Sequence, residues 1–278
     1  MATRLPVILI VVSAIAVTGI TAALGSDPEV FLAGTDKDCS GCNLSGRDLS
    51  GRDLQRSKLD GANLAGADLS EVSLFRATLT RADLKGAKLA HANLNLIDAK
   101  GADFTGADLT EALLFEADLS GAHLAGAKLH DARLGRARLN QADLAGAELA
   151  GCDFREARLA GAKLTGANMR GVTLDGLNLR EMDLHGIDFT FADMIETNLM
   201  DADLHDAQLA GVNLYGANLH GANLTGANLE GANLENAILS DTKTEGAKFD
   251  AAIMPDGRRA PEGPNAGSSA GPSAGGVP

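Results

Sequence analysis

The sequence predicts an all-β solenoid with a square cross-section, and two repeating patterns carry this prediction. The first is a five-residue repeat that runs from Cys42 to Met254 without an insertion or deletion. The second is a slower, 20-residue period in the turn residues of that repeat. A period of five fits neither an α-helix nor a long strand. Each repeat is therefore expected to form a short extended edge followed by a corner, with the edges stacked on one another.

Three slots of each repeat alternate in character. A large slot, at residue 44 and every fifth residue to 254, holds Leu, Phe or Met in 41 of 43 positions. A small slot two residues earlier holds Ala in 29 of 43 positions, and a polar slot lies between them. Extended backbone alternates its side chains, so the small and large slots should face inward. A turn slot, two residues after the large slot, is often Gly, which permits a tight corner.

The turn slots reveal how many edges close one coil. Residue 46 and every twentieth residue to 246 are Gly, except Asp206. Residue 56 and every twentieth residue to 236 include only Gly176 and Gly216. Because the turn columns differ, four edges should form one coil. The 43 repeats then make about 10–11 coils and, at the roughly 4.8 Å spacing of strands, a body roughly 50 Å long.

This pattern resembles the pentapeptide-repeat family, whose signature is Ala-(Asp/Asn)-Leu-x-Gly. Clear copies are residues 67–69, 222–226 and 232–234, and the resemblance covers residues 42–254. It implies a right-handed quadrilateral β-helix; the handedness and turn types come from the resemblance alone. The sequences on either side of the repeats, residues 39–44 and 254–257, also look like the ends of exported family members.

The N-terminal segment predicts export. Residues 5–24 are uncharged and mostly apolar, and Arg4 precedes them. We interpret residues 1–25 as a signal peptide cut before Ser26, with an uncleaved membrane anchor as the alternative. Either places the body in the periplasm or outside the cell, with membrane contact only through an uncleaved segment. Residues 26–41 are assigned to a linker and N-terminal cap.

The three cysteines divide into a pair and a single residue. Cys39 and Cys42 form a Cys-x-x-Cys sequence for which an exported protein favours a disulfide. A redox-active dithiol is the alternative, but no thioredoxin-like pattern accompanies it. Cys152 occupies a small slot and is expected to be a buried free thiol. Beyond the repeats, residues 255–278 are rich in Gly, Ser, Ala and Pro and are predicted to be a disordered tail.

Two irregularities interrupt the inward slots. Arg47 and Arg52 lie in small slots of the first coil, which we interpret as an open end where Arg side chains reach water. One later coil has a consistently enlarged small slot, which predicts a locally wider core or, alternatively, a bend. Its residues are Val172, Leu177, Met182 and Ile187.

No catalytic constellation rises above the repeat, so we predict neither an enzyme nor a cofactor site. His185 and His205 are 20 residues apart and should stack on one face near Asp183 and Asp203. A surface metal site is conceivable there, but two solvated histidines are the preferred interpretation.

One column of outward residues stands out. Large apolar residues just after the large slot are rare, yet four of them share one 20-residue column. Its neighbour is the Gly-poor turn column. Scattered surface residues beside a Glu–Arg ladder would explain both, but we predict a partner-binding strip because interfaces use such side chains. Its members are Phe75, Arg76, Phe115, Glu116, Ile195 and Tyr215.

The predicted function is a non-catalytic structural or protein-interaction scaffold of the periplasm or cell envelope. The partner is an unidentified protein, and a homodimer is also left open. The resemblance supplies an alternative, a DNA mimic that protects gyrase or topoisomerase. Export counts against it, as do five basic residues in outward slots. The net charge of −13 argues against direct nucleic-acid binding. The basic residues are Lys128, Arg133, Arg138, Arg158 and Lys163.

Overall fold

A computed structural model describes residues 27–261 as a stack of square coils behind one short helix. The helix, α1, spans Pro28–Leu32. From Asp38 to Ile253 each edge contributes a single bridging residue, which pairs in parallel with the residue 20 positions away. The bridge between Asp38 and Lys58 is the first of this series, and that between Asn233 and Ile253 is the last. The all-β prediction and the four-edged coil are confirmed.

Each repeat uses its backbone groups in the same way. The Leu44 N–H donates to the Asn63 carbonyl at 2.7 Å, and the Gly46 N–H donates to the Ala65 carbonyl at 2.9 Å. The Arg47 N–H closes the corner by donating back to the Leu44 carbonyl. Stacked coils therefore satisfy the polar groups that buried backbone would otherwise leave unpaired.

The polar slot is usually Asp or Asn because its side chain shapes the corner. The Asn43 Oδ1 accepts from the Ser45 N–H at 3.1 Å, and the Asp48 Oδ1 accepts likewise from Ser50. Short Asp and Asn side chains bond their own backbone two residues on and so stabilise turns. The outward slot is thus structural as well as solvent-facing.

All four turn columns adopt the left-handed conformation. Gly46 has a φ of 64°, and Arg56, in the Gly-poor column, has a φ of 58°. Left-handed backbone costs a residue with a Cβ roughly 1–2 kcal/mol. The columns therefore differ in residue type and share one backbone conformation, so a non-Gly residue there is kept at an energetic cost.

The interior is lined by the large and small slots, as predicted. Phe104, Phe154 and Phe189 are fully buried among the Leu side chains. Burying each such side chain contributes about 1.5–3 kcal/mol before entropy is subtracted. This interior, with the hydrogen bonds between coils, holds the solenoid together.

Polar side chains in the small slot can donate hydrogen bonds to backbone carbonyls of the preceding coil. The Cys152 Sγ donates to the Leu129 carbonyl and the Thr197 Oγ1 donates to the Leu174 carbonyl, both at 2.9 Å and both 23 residues back. Ser57 occupies the same slot in the first coil. Its buried Oγ has no partner among the described residues.

The N-terminal end is capped, so the predicted open end is wrong. The Phe31 side chain of α1 is buried against the core. The Arg52 Nη1 donates to the Leu32 carbonyl at 2.8 Å, and Arg47 pairs with Glu29 at 2.8 Å. The two Arg side chains thus fasten the helix while keeping contact with water. The first bridging residue, Asp38, also precedes the predicted start of the repeats.

The C-terminal end is partly covered by the chain itself. Ile253 forms an antiparallel bridge with Arg259, and the Ala260 N–H donates to the Ala252 carbonyl. Residues 255–261, assigned to the tail from composition, therefore fold back on the last coil. The rest of that tail and the segment 5–24 lie outside the described residues. No helix within residues 27–261 is long and apolar enough to span a membrane.

Two neighbouring edges of the stack are open, and we call this opening the seam. No backbone hydrogen bond joins residues 156–166 to residues 175–187 of the next coil, although both segments are described. Arg158 and Asn178, and likewise Lys163 and Asp183, do not form the bridge that their spacing would give.

The seam lies beneath the coil with the enlarged small slot. Leu177 and Met182 lie one coil above Ala157 and Ala162, where Ala is the usual residue. Ala162 is half-buried and Met182 is 7% exposed, whereas most inward side chains are sealed. The sequence predicted a wider core or a bend at this coil. The structure instead shows that two coils are locally separated.

Candidate functional site

The structure places the predicted strip residues in one corner column. We call residue 55 and every twentieth residue to 235 the corner strip. Phe115 is 43% exposed and Tyr215 is 38% exposed, while Phe75 and Ile195 are half-buried. Phe75 and Phe115 are two coils apart, and Ile195 and Tyr215 lie in successive coils. The strip thus has two apolar clusters. Between them, three successive coils carry Gly135, Arg155 and Asp175 in the strip.

The Gly-poor turn column supports the first cluster. The Arg76 guanidinium lies 5.2 Å from the centre of the Phe75 ring, and that of Arg136 lies 5.6 Å from the Phe115 ring. Arg136 also pairs with Glu116 at 3.6 Å and with Glu156 at 2.9 Å. The Glu–Arg ladder and the aromatic strip are therefore one surface, in which cation–π contacts hold the rings in place.

Polar side chains from the coil below anchor the apolar residues. The Asn95 Oδ1 accepts from the Phe115 N–H at 2.8 Å, and the Asp175 Oδ1 accepts from the Ile195 N–H at 2.9 Å. Elsewhere this bond usually comes from the residue two positions earlier. At Phe115 that position holds Leu113, which has no polar side chain. The preceding coil supplies the acceptor instead, so the corner stays ordered.

Sequence reasoning missed two exposed apolar residues, Phe191 and Ile238, and the half-buried Leu113. Phe191 is 68% exposed and has a φ of 60° in a turn slot. Its ring lies over Gly211, where an added Cβ would come within 2.6 Å of the ring. Leu113 and Ile238 occupy polar slots, and Ile238 is 50% exposed. Each breaks the slot pattern, and that departure is the signal that could have found it.

A depression opens beside the first cluster, and we call it the Gly135 depression. It measures about 510 Å³ and lies where Gly135 has no side chain between Phe115 and Arg155 in the corner strip. Its walls mix apolar, cationic and anionic side chains. They are Asn95, Leu113, Phe115, Arg133, Gly135, Arg136, Asp153, Arg155 and Glu156.

The two predicted histidines do stack, on another corner. The rings of His185 and His205 are 4.9 Å apart and within 5° of parallel. Each Nδ1 contacts the Asp of its own repeat, and the hydrogen bond with Asp183 raises the pKa of His185. The described residues contain no group of three His, Cys, Asp or Glu arranged to hold a metal ion. Parallel rings also direct their lone pairs side by side rather than toward one ion.

The cysteines lie inside the solenoid. Cys39 and Cys42 are joined by a disulfide, with their Cα atoms 5.1 Å apart and both side chains buried. The bond therefore braces the corner at the start of the first coil. Cys152 is free and buried, and desolvation raises the pKa of its thiol to about 12. Such a thiol is a poor nucleophile in the folded protein.

These features define a parallel β-solenoid whose distinctive groups lie on its outer surface. The profile described as "Pentapeptide repeats (8 copies)" matches residues 38–74 and, in overlapping segments, residues 77–254. The chain belongs to the pentapeptide-repeat family, and its coils accordingly form a right-handed quadrilateral β-helix.

Several solved structures are similar. HetL of the cyanobacterium Nostoc sp. strain PCC 7120, involved in heterocyst differentiation regulation, is 29% identical with a TM-score of 0.45; the match covers 83% of this chain and 96% of HetL. Rfr23 from Cyanothece 51142 is 26% identical over 51% and 97%, with a TM-score of 0.31. QnrB1, a plasmid-mediated fluoroquinolone resistance protein, is 18% identical over 73% and 90%, with a TM-score of 0.33. No curated protein matches the chain.

Proposed function

We propose that this protein is a non-catalytic protein-interaction scaffold of the periplasm or cell envelope that binds its partner through the corner strip. The observation that carries the proposal is the retention of large side chains where Gly would cost less. Arg76, Glu116 and Arg136 all have φ between 55° and 59°. Non-Gly residues adopt this conformation in other turn columns too, but among the described coils this column has the fewest Gly residues. Its Arg76 and Arg136 side chains lie over the half-buried Phe75 ring and the exposed Phe115 ring, and aromatic side chains are preferred anchors for protein partners.

The proposed location rests on two features of the N-terminal region. Residues 5–24 have the composition of an export signal or anchor. The buried disulfide between Cys39 and Cys42 is of a kind that persists in oxidising compartments. A reporter fused after Pro278, active only outside the cytoplasm, tests this directly. Activity that requires residues 1–25 supports export, and a cytoplasmic signal contradicts it.

The binding proposal predicts that truncating the strip separates binding from stability. The variant combines Phe75→Ala, Phe115→Ala and Tyr215→Ala. These side chains point away from the sealed core, so the melting temperature should change by only a few degrees. Proteins that co-purify from an envelope extract with the wild type should be lost, because aromatic anchors often contribute about 2 kcal/mol or more.

A matched control removes side chains at the same repeat position on another corner. It combines Lys85→Ala, Thr165→Ala and Thr225→Ala, and it should keep both stability and co-purifying proteins. Loss of stability in the strip variant would mean that the rings are structural. An unchanged set of co-purifying proteins would contradict the proposal.

DNA mimicry is not proposed, because it needs a continuous acidic surface. Five basic side chains are exposed in the middle of the solenoid and interrupt such a surface. They are Lys128, Arg133, Arg138, Arg158 and Lys163.

A further inference from the structure

We propose that the Gly135 depression binds an acidic peptide segment of the partner, with a carboxylate on Arg133 and a neighbouring apolar side chain against Phe115. This inference rests on the proposed function and names the chemistry of the segment that the corner strip would recognise. It follows from the shape, the charge and the apolar wall of the depression.

The shape points to a binding site because nothing in the backbone requires Gly135. The other corner glycines adopt the left-handed conformation, which favours Gly, but Gly135 lies just before the turn slot and its φ is not in that region. A Cβ at Gly135 would come 3.4 Å from the Phe115 ring, in ordinary contact with it. A larger residue could therefore extend over the ring and fill the space. The depression as a whole measures about 510 Å³, within the roughly 300–1,000 Å³ typical of ligand pockets.

The charge of the depression favours a carboxylate. The Arg133 side chain is exposed, and its guanidinium forms no hydrogen bond or ion pair with any described residue. Its neighbour in the next coil, Asp153, is instead held by Arg155 through two hydrogen bonds. The guanidinium donors of Arg133 thus remain available, and a guanidinium matches the two oxygens of a carboxylate.

The wider charge balance agrees with this assignment. Three Arg side chains line the depression against the two carboxylates of Asp153 and Glu156. Arg136 is paired with Glu116 and Glu156, and Arg155 is paired with Asp153, so Arg133 is the lining cation outside an ion pair. An acidic segment would be repelled by most of the solenoid and attracted here, so the surrounding charge contributes specificity.

The apolar wall requires more than an anion. Leu113 lies in a polar slot with its side chain outward, and Phe115 lies two residues later, held by the Asn95 bond and the Arg136 guanidinium. Together they present a continuous apolar surface beside Arg133. A free inorganic anion would leave this surface in water, whereas a peptide with an apolar side chain next to its carboxylate would cover it.

The test measures fluorescence anisotropy of a labelled peptide, Glu-Phe-Glu-Leu-Glu-Glu, with the protein at low ionic strength. Two further probes replace its Phe and Leu by Ala, or its Glu by Lys. We expect binding of the first peptide, at least about fivefold weaker binding of the Ala version, and none of the Lys version. Arg133→Gln should weaken binding at least about fivefold, since a charge-assisted pair is lost. Gly135→Leu, which narrows the depression beside the Phe115 ring, should also weaken binding at least about fivefold.

Lys128→Gln is the matched control, because it removes one positive charge from an exposed outward slot of the same coil. It should leave the affinity unchanged. Equal weakening by Lys128→Gln and Arg133→Gln, or equal binding of the Ala peptide, would overturn the proposal in favour of general attraction of anions. If envelope proteins are lost with the triple Ala variant but kept with both Arg133→Gln and Gly135→Leu, the scaffold function stands and the depression proposal fails.

Discussion

The closed coils around residues 58–155 and the seam are built from the same repeat, yet only the first are fully bonded to their neighbours. The closed region contains one comparable irregularity. Ile97 enlarges a small slot there, but Ala99 empties the large slot of the same edge. The bridges from Asp98 to both adjacent coils are intact. At the seam, Leu177 enlarges the small slot and Leu179 still fills the large one.

The two regions differ in the volume that these edges carry, but volume alone does not decide stacking, because the edge with Ile187 and Phe189 keeps its bridge from Asp188 to the coil below. Val72 and Val212 accompany Leu in their edges and the coils stay bonded. Leu177 and Met182 exceed that size, and the coil below is no longer bonded to theirs. Overfilling a packed interior shifts the backbone, and we attribute the absent hydrogen bonds between these coils to such a shift. The neighbouring coil above stays bonded, with the Thr197 hydroxyl adding one bond to Leu174.

The largest expected effect compares a buried charge in the two regions. Leu144→Lys places an ammonium in a sealed part of the core and should cost about 4 kcal/mol or more, enough to unfold the middle of the solenoid. Met182→Lys lies beside the seam, through which its ammonium can reach water. It should cost at least about 1.4 kcal/mol less, a tenfold difference in the unfolding equilibrium.

Urea unfolding followed by circular dichroism compares the two variants with wild type. Gln141→Lys, an exposed substitution three residues before Leu144, controls for the added charge and should be nearly neutral. Equal destabilisation by the two inward Lys substitutions would show that the seam is as dry as the closed core.

The next prediction is that removing core side chains closes the seam. Leu→Ala substitutions in cores commonly cost 2–5 kcal/mol, and Leu89→Ala in the closed region should behave so. The double variant Leu177→Ala, Met182→Ala restores the usual small slot and lets the hydrogen bonds form between the coils. It should cost less than Leu89→Ala alone, or increase stability.

Hydrogen exchange checks the cause as well as the size of this effect. The amides of Leu159 and Leu164 lack acceptors in the next coil and should exchange quickly in the wild type. In the double variant their exchange should slow toward that of Leu89. Fast exchange in the double variant, together with an ordinary loss of stability, would show that the two large side chains do not cause the opening.

A smaller effect is expected in the reactivity of buried thiols. Cys152 lies in the edge directly before the seam, and its thiol, with a pKa of about 12, should react only when the structure opens. Ala92→Cys, in a Cys152→Ala background, places a thiol in the same slot and column of the closed region. Native-state labelling should be about tenfold faster or more at Cys152. Equal rates would mean that the seam does not open further in solution.

The smallest expected effect is a change in one titration. The hydrogen bond with Asp183 raises the pKa of His185. This contact stabilises the fold below the ordinary His pKa of about 6.5, and its contribution is lost as the pH rises through the raised value. In the seam-closing double variant, Lys163 should approach Asp183, as Lys88 approaches Asp68 at 3.3 Å in a closed ladder.

That competition should lower the pKa of His185 toward its ordinary value, measured by the NMR shifts of its ring protons. Asp183→Asn sets the fully released value. A titration in the double variant identical to that of the wild type would show that the two coils do not come closer.

Most of the fold was predictable because the slot pattern records the inside and outside of every edge. The 20-residue coil followed from the turn columns, and the bridge from Ser73 to Asn93 and its successors confirm it. Helix α1 was missed because five residues carry too little periodicity to be seen. The fold-back of residues 255–261 was missed because it is held by backbone hydrogen bonds, which amino-acid composition does not predict.

The candidate site was only partly predictable. The alignment of Phe75 with Phe115 was predictable because the two residues are separated by a multiple of 20. The guanidinium of Arg133 is free because Arg155, and not Arg133, donates hydrogen bonds to Asp153. Which Arg does so depends on side-chain geometry. The sequence shows the row of large residues at the seam. Whether the core repacks around them or the two coils separate depends on the relative free energies of the two arrangements, which the pattern of residue types does not give.

The 20-residue coil has a consequence for changes in chain length. Deleting five residues would leave every inward slot in phase, so the remaining chain should still fold. Every downstream column would nevertheless turn by a quarter of the circumference. If the deletion lay between Phe115 and Tyr215, Phe75 and Phe115 would face one direction and Tyr215 another. Deletion of a whole coil there would keep the three residues aligned. Length changes in multiples of 20 preserve the direction in which this molecule presents its surface, and changes of five preserve only its interior.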